Sequence, residues 1–156
     1  MNYALEIGKL LNEKKLKIST TESCTGGLLS SRLTDISGSS AYITLNLVTY
    51  SNEAKEKMLN VTLNSEGAVS ENCAIQMADG LYKLTQADIC ISTTGIAGPT
   101  GGTKDKPVGL MYSCIRTNYS SQVYKIQLNP ELPRTEIKKL FTEEVLKNIY
   151  EFLLRN

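Results

Sequence analysis

Apolar residues along this chain change spacing several times, and each change marks an element. From Tyr3 to Lys14, Ala4, Ile7, Leu10 and Leu11 fall on one helical stripe behind Asn2, a good N-cap. Leu16 to Thr21 reads as a short strand that stops at Glu22-Ser23-Cys24-Thr25-Gly26-Gly27, and Leu28 to Leu33 resumes helical spacing. Asp35 to Ser40 has loop chemistry. Tyr42 to Tyr50 alternates and is rich in β-formers, after which Ser51 or Asn52 caps a short helix through Leu59. Ser70 caps a longer helix, Glu71 to Thr85, with Ala74, Met77, Ala78 and Leu81 on one face. Ala87 to Thr93 is nearly continuous in apolar character, as suits a buried central strand. Glycines and prolines make Gly95 to Gly109 a loop. Leu110 to Arg116 and Gln122 to Leu128 are strands joined through the short polar stretch Thr117 to Ser121. Pro133 and Arg134 open a final helix striped by Ile137, Leu140, Phe141, Val145, Ile149 and Leu153.

In this order the early βα units require parallel strands with helical crossovers, whereas the late hairpin adds antiparallel pairing. The expectation is an α/β protein: a three-layer α/β/α fold with a mixed, mostly parallel sheet of about five strands. With no internal repeat and no low-complexity linker, the 156 residues read as a single domain.

Composition narrows the chemistry. Seventeen Lys and Arg against sixteen Asp and Glu leave a net charge of +1, which argues against a dedicated nucleic-acid or membrane-surface binder. No apolar run is long enough for a membrane span and no signal-peptide pattern follows Met1, so a cytoplasmic location is expected. The chain has no histidine, which excludes Ser-His-Asp triads, Cys-His dyads and HExxH zinc sites. A catalytic base must then be Lys, Tyr, a carboxylate or water. The four cysteines, at 24, 73, 90 and 114, form no CxxC pair, so neither a metal site nor a disulfide is expected, and Cys73, Cys90 and Cys114 read as structural thiols.

Three unusual segments follow the first three strands, where open α/β sheets bind ligands. Thr21 to Gly27 sets the hydroxyls of Ser23 and Thr25 before a helix start, with Gly26 and Gly27 allowing close backbone approach. It reads equally as an ordinary N-cap and tight helix–sheet contact, and it is not a GxSxG elbow. In Thr49 to Lys55, Tyr50 ends a strand and Lys55 lies near a helix N-terminus, whose dipole disfavours an ammonium. A neutral Lys55 beside Ser23 would make a Ser-Lys pair, the alternative being a solvated surface lysine. Thr93 to Pro99 and the glycines beyond it do not match GxxxxGK[ST] and suit a glycine-rich wall rather than a nucleotide phosphate loop.

At these segments the chain resembles the CinA C-terminal domain family, whose stand-alone members are the PncC nicotinamide-nucleotide amidases. The likeness rests on TESCTGG (21–27), GSSAY (38–42), VTYSNEAK (48–55), GAVSE (67–71), TTGIAGPTGG (93–102) and KPVG (106–109), in order. It implies an α/β/α fold and hydrolysis of the carboxamide of nicotinamide mononucleotide, giving nicotinate mononucleotide and ammonia without a metal or organic cofactor. It further implies Ser23 as nucleophile, with Lys55 and Tyr50 beside it, Thr94 and Gly95 in the same pocket, and Arg134 meeting the substrate phosphate. Relatives often read GDR with a second Arg four residues on; here the chain has Leu132-Pro133-Arg134 and Lys138, and lysine lacks the guanidinium fork. The domain that precedes this one in full-length CinA proteins is expected to be absent, and a homo-oligomer, with a dimer as the guess, is the expected assembly.

The mechanism expected from these residues has Lys55 drawing the Ser23 proton, N–H groups at the following helix start holding the oxyanion, and Tyr50 relaying a proton to ammonia. Thr25, Gly26 and Gly27 would line the substrate site, and Cys24 is the second candidate nucleophile. Two other readings stand beside the amidase: a pyridine-nucleotide-binding module without turnover, and a CinA-type interaction domain.

Overall fold

The computed structural model describes residues 1–156. Its elements are α1 (Tyr3–Lys14), β1 (Ile18–Glu22), α2 (Leu28–Thr34), β2 (Ile43–Val48), α3 (Asn52–Leu59), α4 (Glu71–Thr85), β3 (Ile89–Gly95), β4 (Leu110–Arg116), β5 (Ser121–Gln127) and α5 (Arg134–Arg155), with a 3₁₀ turn at Ser39–Ala41. The expected caps are in place: Asn2, Ser51 and Ser70 accept hydrogen bonds from the backbone N–H of Leu5, Ala54 and Cys73.

The sheet order is β2-β1-β3-β4-β5. β1 pairs in parallel with both β2 and β3, and β4 pairs antiparallel with both β3 and β5. Four strands therefore run one way and only β4 is reversed, which is the mixed, mostly parallel sheet the sequence leads one to expect. Helices cover both faces. α1, α2 and α5 share the larger core with Ile18, Ile89, Ile91, Met111 and Ile115, while α3 and α4 close the other face through Leu59, Met77, Leu81 and Cys90.

The parallel order brings the carboxyl ends of β2, β1 and β3 side by side, and the polar ends of these strands stay buried. Ser19, Thr20, Thr21 and Glu22 on β1, and Ser92, Thr93 and Thr94 on β3, are all inside. Except for that of Ser19, which is buried without a partner, their hydroxyls are satisfied within the fold: Thr20 donates to Asn46 Oδ1, Thr21 meets Thr49, Ser92 donates to the Ala74 carbonyl and Thr94 to that of Ala68. Buried hydroxyls are tolerated on such terms.

α3 and α4 approach most closely at Gly80, where a Cβ would overlap the Leu59 backbone carbonyl. Helix propensity alone favours alanine there by about 1 kcal/mol. The overlap reverses that sign, so Gly80→Ala should lower the unfolding free energy by roughly 1–3 kcal/mol in urea titration.

Candidate active site

The chain leaves β1 at Glu22 and β2 at Val48, and the two exits stay tied together. Thr49 N–H donates to the Glu22 carbonyl at 2.9 Å, and Ser23 N–H to the Thr93 carbonyl at 3.1 Å. Beyond these ties lies a cavity of about 260 Å³ walled by Ser23, Cys24, Tyr50, Asn52 and Lys55, by Ala68 and Val69, by Thr94 to Ala97, and by Thr100, Gly101 and Arg134.

At its base Lys55 Nζ is 2.9 Å from Ser23 Oγ. The same nitrogen donates to the carbonyls of Thr49 and Tyr50, each at 2.9 Å, and the Lys55 residue is 1% exposed. It takes part in none of the chain's salt bridges. Burial without a carboxylate pushes the amine's pKa down from its ordinary value. Its three partners are two carbonyls and a hydroxyl, and the hydroxyl can either accept from the nitrogen or donate to its lone pair. Ser23 Oγ also lies 3.3 Å from the Tyr50 carbonyl, a second acceptor for its proton.

Tyr50 reaches the dyad through its main chain. Its phenol is at the cavity mouth, 57% exposed, where its oxygen accepts from Arg134 Nη2 at 3.0 Å. The phenol's hydrogen bond is to Arg134, and none joins it to Ser23 or Lys55, so no contact in this structure supports the expected relay through this side chain. Arg134 opens α5 and also donates from Nη1 to the Gly98 carbonyl at 2.7 Å, so it bridges the β2–α3 segment and the β3–β4 loop. Thr94 and Gly95 line the wall. At Gly95 a Cβ would sit 2.6 Å from the Leu110 carbonyl, which keeps the wall bare of side chain.

Thr25, Gly26 and Gly27 depart from expectation, as does the helix start after them. None of the three lines the cavity. The amides at the start of α2 are taken by Glu22, whose Oε1 accepts from Gly27 N at 3.2 Å and Leu29 N at 2.9 Å and whose Oε2 accepts from Ser30 N at 2.9 Å. The hydroxyls of Thr25 and Ser30 add two more bonds to this carboxylate, each 2.6 Å. A helix N-terminus filled by a carboxylate has nothing left for an oxyanion. Gly26 and Gly27 adopt positive φ, 61° and 104°, which lets the chain fold back so that these amides face Glu22. Hydrophobic patterning does not single out Glu22; the usable signal is an acid within reach of a helix start that has no side-chain cap of its own. Beside Ser23, the N–H groups of Cys24 and Thr25 bond to no other residue, and of the two residues only Cys24 lines the cavity. The other three cysteines are buried and unbridged, as expected of structural thiols.

The model of the CinA C-terminal domain matches residues 1–153, and the chain belongs to that family. It is 48% identical to a CinA-like protein of Chloroherpeton thalassium over 152 residues, covering 94% of this chain and 36% of that one. The chain thus spans about a third of the length of such curated relatives. Among solved structures, a CinA superfamily protein of Klebsiella pneumoniae superposes with a TM-score of 0.91 at 26% identity, covering 99% of this chain and 97% of that one. A competence/damage inducible protein of Agrobacterium tumefaciens gives 0.83 at 34% identity, with 99% and 93% covered.

The buried amine carries a pH signature. Its native pKa lies below the unfolded value of 10.5, so between those two values the unfolded chain binds more protons and stability rises with pH. Relative to Lys55→Met, which has no such group, the wild type should gain stability as pH rises toward 10.5. Thermal melts of both proteins across that range would show the difference, and parallel curves would mean that Lys55 is not buried.

Proposed function

We propose that the chain is an amidohydrolase that uses Ser23 as nucleophile and Lys55 as general base to hydrolyse the carboxamide of nicotinamide mononucleotide. The observation that carries this reading is the 2.9 Å contact between Ser23 Oγ and a buried Lys55 amine partnered only by carbonyls. Burial lowers the pKa of this amine from its ordinary value and so favours its use as a base over that of a solvated lysine.

Lys55 takes the Ser23 proton as Oγ bonds to the amide carbon, and the carbonyl oxygen becomes an oxyanion. The N–H of Cys24, the residue after the nucleophile, is the donor best able to hold it. When the C–N bond breaks, the Lys55 ammonium returns its proton to the leaving nitrogen and ammonia departs. Water then attacks the acyl-enzyme with Lys55 again as base, and the acid is released as Ser23 Oγ recovers its proton.

The substrate follows from the family likeness and two features of the cavity wall. Arg134 is a guanidinium at the mouth, suited to a phosphate. Tyr50 is the cavity's one aromatic side chain, and its ring suits a pyridinium by cation–π attraction. The retained links of Arg134 to Gly98 and Tyr50 favour a second reading, a module that binds a pyridine nucleotide without turning it over.

Ammonia release from nicotinamide mononucleotide separates the two. The amidase reading expects release by the wild type and a loss of at least about 10³-fold in Ser23→Ala and Lys55→Ala. Tight binding with no release would leave the binding module. The acid limb of kcat/KM should fall at the lowered pKa of Lys55, with activity rising as pH increases through it. Tyr50→Phe should keep kcat within about threefold whereas Tyr50→Ala raises KM, because the ring and not the hydroxyl serves the site. Loss of kcat in Tyr50→Phe would restore the proton relay.

A further inference from the structure

Glu22 stands immediately before Ser23, is wholly buried, and gathers five hydrogen bonds from Thr25, Gly27, Leu29 and Ser30. These donors belong to the far side of the turn that carries the nucleophile, so the carboxylate draws residues 25–30 back onto the end of β1. Thr25 is held from a second direction by Thr93, 3.0 Å away, and the Thr93 hydroxyl also accepts from Ser23 N–H at 3.2 Å. Ser23 is thereby fixed from behind through its backbone, while its Oγ meets Lys55 and the N–H of Cys24, a residue of the cavity wall, bonds to no other residue. The Glu22 carbonyl fixes the opposite wall as well, because it accepts from Thr49, whose own carbonyl binds Lys55.

We infer that Glu22 is the positioning residue of the catalytic dyad: its buried carboxylate ties the 23–27 turn to the start of α2 and so sets Ser23 Oγ and the Cys24 N–H in register with Lys55. This rests on the reading of Ser23 as nucleophile. Glu22 touches neither substrate nor reacting atoms, and its effect reaches the chemistry only through the turn. A carboxylate is required because every group facing it is a donor. Glutamine presents an NH₂ to one or two of them and cannot keep all five bonds.

Glu22→Gln and wild type should be compared well below both unfolding midpoints, by steady-state ammonia release and by mass-spectrometric labelling of Ser23 with a fluorophosphonate, in which Oγ bonds to phosphorus and fluoride leaves. The expected result is a fall of about 10- to 100-fold in both kcat and the labelling rate, with KM within about threefold and an unchanged acid limb. Ser30→Ala removes one of the five bonds, and should slow labelling by about two- to fivefold if Glu22→Gln does not fold. Ile149→Val, a core change on the far part of α5, lowers Tm but should leave both rates alone. Unaltered labelling in folded Glu22→Gln, or in Ser30→Ala, would reduce Glu22 to a helix cap and overturn the inference. A wild type that labels at Ser23 but releases no ammonia would sink the amidase reading and leave this one standing. A wild type that does not label would overturn both the nucleophile and its positioning residue.

Discussion

A lysine amine sealed from water with no carboxylate to meet it is the constraint on which the rest of this molecule turns. A charged amine in that position would be costly, and its partners are a hydroxyl and two carbonyls with no anion among them. The two carbonyls come from Thr49 and Tyr50, which are available because β2 ends at Val48 and its chain turns out of the sheet there. Ser51 caps the following helix and so brings Lys55 round, within the first turns of α3, to face the carbonyls it has just passed. Ser23 arrives from the neighbouring strand only because β1 and β2 are parallel and their register, after a shift between Ile18 and Thr20, sets Glu22 opposite Val48. The dyad is thus a consequence of sheet topology as much as of either residue.

The same edge buries a carboxylate, and the two charged side-chain types are handled in opposite ways. Glu22 sits among N–H and O–H donors, whereas Lys55 sits among carbonyl oxygens. Neither relies on the other for compensation, so the lysine is spared the acidic neighbour that would hold its proton on. A Glu–Lys ion pair at this place would have given an inert ammonium. Separate settings let one segment of eight residues, Thr21 to Leu28, supply rigidity without quenching the base.

How far this was legible in the sequence varied with the kind of signal. Amphipathic helices and their caps were readable to within a residue or so, as at α1, α3 and α4, because periodicity and capping chemistry are local. Strand ends were less so. The pattern extends β1 to Leu16, whose N–H instead returns to the Leu11 carbonyl to finish α1 behind the left-handed Lys15. Glu22 and the Thr94-Gly95 pair belong to β1 and β3 but carry no strand signal, since polar residues at a strand's end look like loop when their buried partners lie far off in sequence. Absence of histidine made Lys55 the natural base, and topology then implied its meeting with Ser23. The function of Glu22, and the turning away of Thr25, Gly26 and Gly27 from the cavity, depended on which acceptor reached the start of α2 first. That competition is tertiary, and no spacing rule reports it.

The turn also carries what is intrinsically the better nucleophile, Cys24, directly beside Ser23, and the surroundings of the two residues bear on the proposed use of the serine. A thiol reacts as its thiolate, so its use depends on a lowered pKa. Burial acts in the other direction on Cys24 and pushes it up to about 12, and the negative charge of Glu22 adds to that rise against the weaker opposing pull of Lys55. Cys24 belongs to the larger core even though it also reaches the cavity wall, while its neighbour Ser23 carries the hydroxyl that meets the amine. A hydroxyl needs no prior ionisation, because a base in contact with it can take the proton as the new bond forms. With no histidine to serve both residues, the position of one buried lysine decides between the two side chains, and Glu22 reinforces the choice from behind.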